Sequence, residues 1–255
     1  MKNRALTVLI AAALVAPWTG ATFAQDSDAY PFTPIEAFIC KYNDRQGPSD
    51  LDDVIEEFND WMGANDQDGY MAWILTPHSY TAEQDFDFIW LGAASDYRAA
   101  GAGKQNWLEK GGAIQKAFDE VASCNAHLNA ASLRIRGGGG EPPPNPVLTI
   151  SNCSTADGRS TSDVVTGVAA WGAEQDSRGW PGSTFMWFPV FGGGAANADF
   201  TMVGGFENHE MLGEYMHQWF ASEAWDETRM RFGGLMSCDV ARVYDGKLVH
   251  DSFSD

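Results

Sequence analysis

Hydrophobic and polar positions change rhythm along the chain in a recurring order. Glu36 to Tyr42 (EAFICKY) alternates with period two and predicts a strand. Gly47-Pro48-Ser49 is a turn in which Ser49 or Asp50 is placed to cap a helix. Leu51, Val54, Ile55, Phe58, Trp61 and Met62 then recur at helical spacing, up to a break at Asn65 to Gly69. Tyr70 to Thr76 (YMAWILT) is an apolar run of strand length. A loop from Pro77 to Asp85 leads to a second such run, Phe86 to Leu91. Helical patterns cover Asp96 to Leu108 and Ala113 to Val121, the first weakened by Gly101 and Gly103. Ala131 to Arg136 predicts the last strand of the series.

The series then runs again. Strands are predicted over Val147 to Asn152, Thr184 to Val190 and Val240 to Tyr244, with helices from Asp163 to Trp171 and Ser222 to Phe232. A glycine-rich turn, Gly192 to Asn197, stands where a hairpin is expected. Asp199 to Phe220 (DFTMVGGFENHEMLGEYMHQWF) lies 112 residues beyond Asp87 to Leu108 (DFIWLGAASDYRAAGAGKQNWL) and aligns with it without a gap. Asp87, Phe88, Gly92, Gly101 and Trp107 recur as Asp199, Phe200, Gly204, Gly213 and Trp219, and Trp73 matches Trp187. Each copy reads β-α-β-β-α-β, the ferredoxin-like pattern of the α+β class. The copies cover residues 34–136 and 147–245, joined by the Gly/Pro linker 137–146 and followed by a tail, 246–255.

Four cysteines fit this duplication. Cys40 and Cys124 are 84 residues apart, and Cys153 and Cys238 are 85 apart, so each copy holds one cysteine near its first strand and one near its last. A ferredoxin-like sheet of order 4-1-3-2 sets those two strands side by side, which favours Cys40–Cys124 and Cys153–Cys238. The pairing Cys40–Cys238 with Cys124–Cys153 also respects a pseudo-twofold and is the alternative.

Two such repeats in one chain resemble the dimeric α/β-barrel superfamily with both halves fused. The resemblance spans both repeats and rests on topology and tryptophan spacing. It implies two ferredoxin-like sheets closed into one barrel with helices outside. The superfamily includes antibiotic-biosynthesis-type monooxygenases, muconolactone-isomerase-like enzymes and haem proteins such as chlorite dismutases. The resemblance implies two alternatives, a cofactor-free oxygenase- or isomerase-like enzyme with His209 as base, or a haem protein with His209 or His217 as axial ligand. Few polar groups converge by sequence, so a binding protein for a small apolar or aromatic ligand is the first expectation.

Charge and targeting narrow the setting. Lys2 and Arg4 precede an apolar run, Ala5 to Ala16, and Thr22 and Ala24 occupy the small-residue positions before Gln25. This predicts a secretory signal over 1–24, too short to span a membrane, with an acidic leader over 25–33 and a periplasmic or extracellular destination. The formal charge is −19. A surface so acidic repels phosphate backbones and anionic membranes but names no substrate. The ten tryptophans, fifteen phenylalanines and nine methionines make a small apolar or aromatic molecule the expected partner.

Candidate chemistry is sparse, and whether the chain is an enzyme is left open. His209 stands where the first copy has Tyr97, and His217 where it has Gln105. On the second-copy helix His217 points roughly 150° from the centre of the apolar face, toward solvent, and His209 about 70° from it, at the rim. With Asn208 as N-cap, His209 falls in the first turn, where the dipole favours neutral imidazole and suits a base. His209 is thus the candidate catalytic residue. Trp187, His209, Tyr215 and His78, the last in a loop able to overhang a barrel mouth, are the candidate ligand-binding residues. No metal motif is present: His209-Glu210 has Gly213 where HExxH needs its second histidine, and the Asn65 to Gly69 loop lacks the flanking oxygens of a calcium site. No sequence motif names a cofactor.

Overall fold

The computed structural model describes residues 31–65, 67–137, 142–192 and 198–253. The signal segment 1–24, residues 25–30 of the leader, residues 138–141 of the linker, residues 193–197 of the glycine turn and the last two residues of the tail lie outside the described residues.

The first half runs β1 (Phe32–Tyr42), α1 (Pro48–Ala64), β2 (Tyr70–Ser79), β3 (Phe88–Ala94), α2 (Tyr97–Lys110), α3 (Gly112–Val121) and β4 (Ala122–Arg136). The second runs β5 (Val147–Thr155), α4 (Thr161–Ser177), β6 (Ser183–Phe191), β7 (Phe200–Phe206), α5 (His209–Ala221), α6 (Ala224–Phe232), β8 (Met236–Cys238) and β9 (Arg242–Asp251). Within the first half the strand order is β4-β1-β3-β2, and within the second β9-β5-β7-β6, all antiparallel. β2 pairs with β9 and β4 with β6, so both sheet edges of each half are covered by the other. The eight long strands close into a barrel with no free edge; β8 adds a short pairing along β5.

Alternation along the strands sorts the apolar side chains. Leu75, Leu91, Ile150, Val203 and Tyr244, with Trp73, Phe185 and Trp187 against them, fill the barrel interior from both halves. The opposite strand faces carry Cys40, Ala72, Phe88 and Trp90 to α1 and α3 in the first half, and Cys153, Met186 and Phe200 to α4 and α6 in the second.

The duplicated residues do equivalent structural work. Asp87 donates its backbone N–H to the Cys40 carbonyl and accepts from the Tyr42 N–H, while Asp199 does the same with Cys153 and Thr155. Asp96 caps α2 by accepting from Arg98 and Ala99, and Asn208 caps α5 by accepting from Met211. Cys40 is directly opposite Cys124 and Cys153 opposite Cys238, and both pairs are disulfide-bonded.

Two boundaries differ from the pattern in consequential ways. The last strand, expected over Val240 to Tyr244, runs from Arg242 to Asp251, through most of the segment expected as a tail, because it pairs there with β2. β4 begins at Ala122, not Ala131. Its first part, ASCNAHLNA, is poor in β-branched residues. It is extended because it pairs with β1 along its whole length and with β6 from Asn129 on, so tertiary pairing overrides weak intrinsic preference.

Candidate ligand-binding site

A cavity of about 390 Å³ lies in the first half, between the outer face of the sheet and the helices α1, α2 and α3. Its size is within the range of small-molecule sites. Phe38, Phe58, Trp61, Trp90, Trp107 and Phe118 supply aromatic walls. They hold one another edge-on: Phe58 meets Trp90 at 5.2 Å and 87°, and Trp61 meets Trp107 at 5.1 Å and 81°. Such interlocked rings keep the walls in place.

Three connected polar side chains interrupt the apolar lining. The Tyr70 hydroxyl donates to Glu36 Oε1 at 2.9 Å and accepts from Trp90 Nε1 at 3.0 Å. The other carboxylate oxygen, Glu36 Oε2, lies 3.1 Å from His127 Nε2. Phe38 and His127 are opposite each other across β1 and β4, and their rings stack at 3.8 Å. Burial, followed by the Glu36 charge, pushes the Tyr70 hydroxyl well above its usual range, so it stays a donor. The recurring glycine Gly92 makes this geometry available: a Cβ there would stand 2.1 Å from the Tyr70 hydroxyl oxygen.

The charge at the lining is one-sided. Glu36, Asp68 and Asp119 face the cavity against Lys104 alone. An anionic guest is disfavoured there, and a neutral or cationic one is not. Haem carries two carboxylates and needs an axial donor. His127 is the histidine of the lining and its Nε2 already faces Glu36, so this set of residues does not fit haem.

The corresponding region of the second half is packed with side chains. Tyr215 on α5 occupies the position that Gly103 holds on α2, 112 residues earlier. Its ring meets Trp180 at 5.5 Å, Phe206 at 5.3 Å and Trp219 at 5.8 Å. Its hydroxyl accepts from the buried Gln175 at 2.9 Å. Gly103 lines the cavity in the first half and leaves that volume open.

The residues expected from the sequence to form a site are distributed differently. Trp187 is part of the barrel interior, and Tyr215 is part of the packed second-half core. His209 and His78 meet at the surface, where His209 Nε2 lies 2.6 Å from Asp245 Oδ1 and His78 Nδ1 lies 3.0 Å from Asp245 Oδ2. None of the four lines the first-half cavity. His217 is exposed on α5. Glu36, Tyr70 and His127 were not singled out by the sequence pattern; the signal available for them was the glycine-for-tyrosine difference between the copies.

No protein-family model and no curated protein matches the sequence. Solved structures do match. A provisionally assigned monooxygenase from Fusobacterium nucleatum superposes with a TM-score of 0.55 at 11% identity, covering 88% of this chain and 94% of that one. A provisionally assigned monooxygenase from Lactobacillus acidophilus gives 0.52 at 12% identity, covering 88% and 98%. A provisionally assigned chlorite dismutase gives 0.50 at 11% identity, covering 87% and 96%. These likenesses show the fold, two ferredoxin-like halves in one chain closed into a dimeric α/β-barrel-type barrel.

Proposed function

We propose that this protein binds a small, planar, neutral or cationic aromatic molecule in the cavity of its first half. The observation that carries the reading is the aromatic cavity itself, open where Gly103 replaces the tyrosine of the second half. Phe58, Trp90 and Trp107 would sandwich or edge the guest, contributing area burial and aromatic contact. The Glu36 carboxylate and His127 would orient a hydroxyl or amino group on it. The sequence features of an exported, disulfide-bonded chain suit a protein that meets such a molecule outside the cytoplasm.

A second reading rests on the same pair. With His127 Nε2–H donating to Glu36, the other ring nitrogen, Nδ1, is left as an acceptor. It could take the proton of a phenolic or enolisable guest, leaving an oxyanion on the guest and a cationic imidazole held by Glu36. That step needs no cofactor and would be the start of isomerase-like or oxygenase-like chemistry.

Titration of the full chain with 1-naphthol, 1-naphthylamine and 1-naphthoate, followed by tryptophan fluorescence, tests the binding reading. The first two should bind and the third should bind at least about tenfold more weakly. Equal affinity for all three would overturn the electrostatic part of the reading, and no saturable binding of any of them would overturn the whole. Exchange of an enolisable C–H with deuterated water, lost in His127→Ala with binding retained, would distinguish the catalytic reading.

A further inference from the structure

The cluster His78, His209 and Asp245 lies away from the cavity and was not anticipated as a unit. Its members come from three elements of both halves. His78 is near the end of β2, Asp245 is on β9, and His209 opens α5. The β2–β9 register shifts between Pro77 and Ser79, so His78 is the extra residue of a bulge, a device that re-aims a side chain. Asp245 is held from both sides, opposite Thr76 on β2 and Val147 on β5. His209 is fixed at the start of a helix capped by Asn208. The backbone thus holds all three side chains at one point.

We propose that His78, His209 and Asp245 form a binding site for a divalent first-row transition-metal ion, with zinc the simplest occupant. One donor atom from each residue lies within 4.8 Å of the others. Two donors about 2.1 Å from a zinc ion at tetrahedral angles are roughly 3.4 Å apart, so small side-chain movements close the site. Two imidazoles and one carboxylate make a donor set suited to zinc, iron, nickel or copper rather than calcium or magnesium, which prefer oxygen. The imidazole rings already lie 4.4 Å apart at 42°, each against a different oxygen of the carboxylate. All three side chains are about half exposed, at 48–49%, so water has access to the remaining coordination positions. The ion would replace the two histidine–carboxylate contacts and tie β2 of the first half to α5 and β9 of the second.

The test uses the full chain stripped with a chelator, then titrated with Zn²⁺ against a chromophoric chelator and with Co²⁺ by visible absorption. One ion per chain should bind, the cobalt adduct should show ligand-field bands, and the melting temperature should rise with metal. His78→Ala, His209→Ala and Asp245→Asn should each weaken binding by at least about tenfold and abolish the thermal shift. His217→Ala, on the same helix but outside the cluster, should leave both unchanged. Each variant's melting temperature in chelator checks that it folds. Metal binding that is unaffected by all three substitutions, or that is equally lost in His217→Ala, would assign the ion to scattered surface carboxylates and overturn the proposal, as would no binding by the wild type. None of these outcomes depends on whether the aromatic cavity binds a guest.

Discussion

Tyr215 and Gly103 hold the same position in the two copies of one repeat, and they leave the copies with opposite interiors. The tyrosine ring is enclosed by Trp180, Phe206 and Trp219, whereas the glycine borders open space. A duplicated fold needs both halves to close the barrel, but it needs a cavity in one at most. Removing the tyrosine should therefore open the second half at a cost. Tyr215→Ala is expected to destabilise by about 3 kcal/mol, from the lost ring and from the amide of Gln175 left without its partner. Chemical denaturation would measure it, and a loss near zero would mean that the ring is not part of the core.

Glu36 is the hub of the polar end of the cavity. It accepts from Tyr70 and faces His127. Glu36→Gln keeps the shape but removes the negative charge. It is expected to weaken binding of 1-naphthylamine by about tenfold and to improve binding of 1-naphthoate. Calorimetric titration of both guests would show the crossing; parallel changes for the two would argue that the carboxylate does not set guest charge.

The architecture was legible in the sequence because the chain states it twice. The aligned aspartates, glycines and tryptophans pointed to two ferredoxin-like halves, and the equal cysteine separations favoured, over one alternative, the two disulfides that form. The candidate site was not legible in the same way. His127 lies in the part of β4 whose alanines, serine and asparagines carry no strand signal and which is extended through its neighbours β1 and β6. Asp245 gained its meaning from a β-bulge at His78, which no local pattern marks. The asymmetry between the copies is visible in the sequence, both in the histidines of the second copy and in the glycine of the first. A missing side chain makes space, and Gly103 was the more informative difference.

The two disulfides join strands that already pair, so their effect is chiefly on the unfolded chain. Each closes a loop of more than eighty residues, and the chain-entropy account gives about 4–5 kcal/mol apiece. Replacing Cys153 and Cys238 together with alanine should lower stability by that order without changing the circular dichroism of the folded protein. A change below about 1 kcal/mol would contradict the account.

Acid should weaken the fold partly through His250. Burial lowers its proton affinity from the ordinary value of 6.5, and its Nδ1 faces Asn59 Oδ1 at 2.7 Å. The folded chain therefore resists the proton that the unfolded chain accepts. This contribution is constant well above pH 6.5 and is lost as pH falls below it. Hydrogen bonds from His209 and His78 outweigh the effect of burial and hold Asp245 below its ordinary value of 3.8, so its share is lost only at still lower pH. In His250→Gln the loss of stability between pH 6.5 and about 5 should be shallower than in wild type. Identical slopes would show that His250 does not contribute.

The most direct test of the cavity is to fill it with the residue that the other copy already uses. A Cβ at Gly103 would meet only the Gln67 side chain, at 3.4 Å, so Gly103→Tyr can place its ring in the open space between Phe58, Trp90 and Trp107. Binding of 1-naphthol should fall by at least about a hundredfold, while the melting temperature should hold or rise as a helical glycine is replaced and the void is filled. Unchanged affinity in a folded Gly103→Tyr protein would contradict the account, because the guest would then be bound elsewhere.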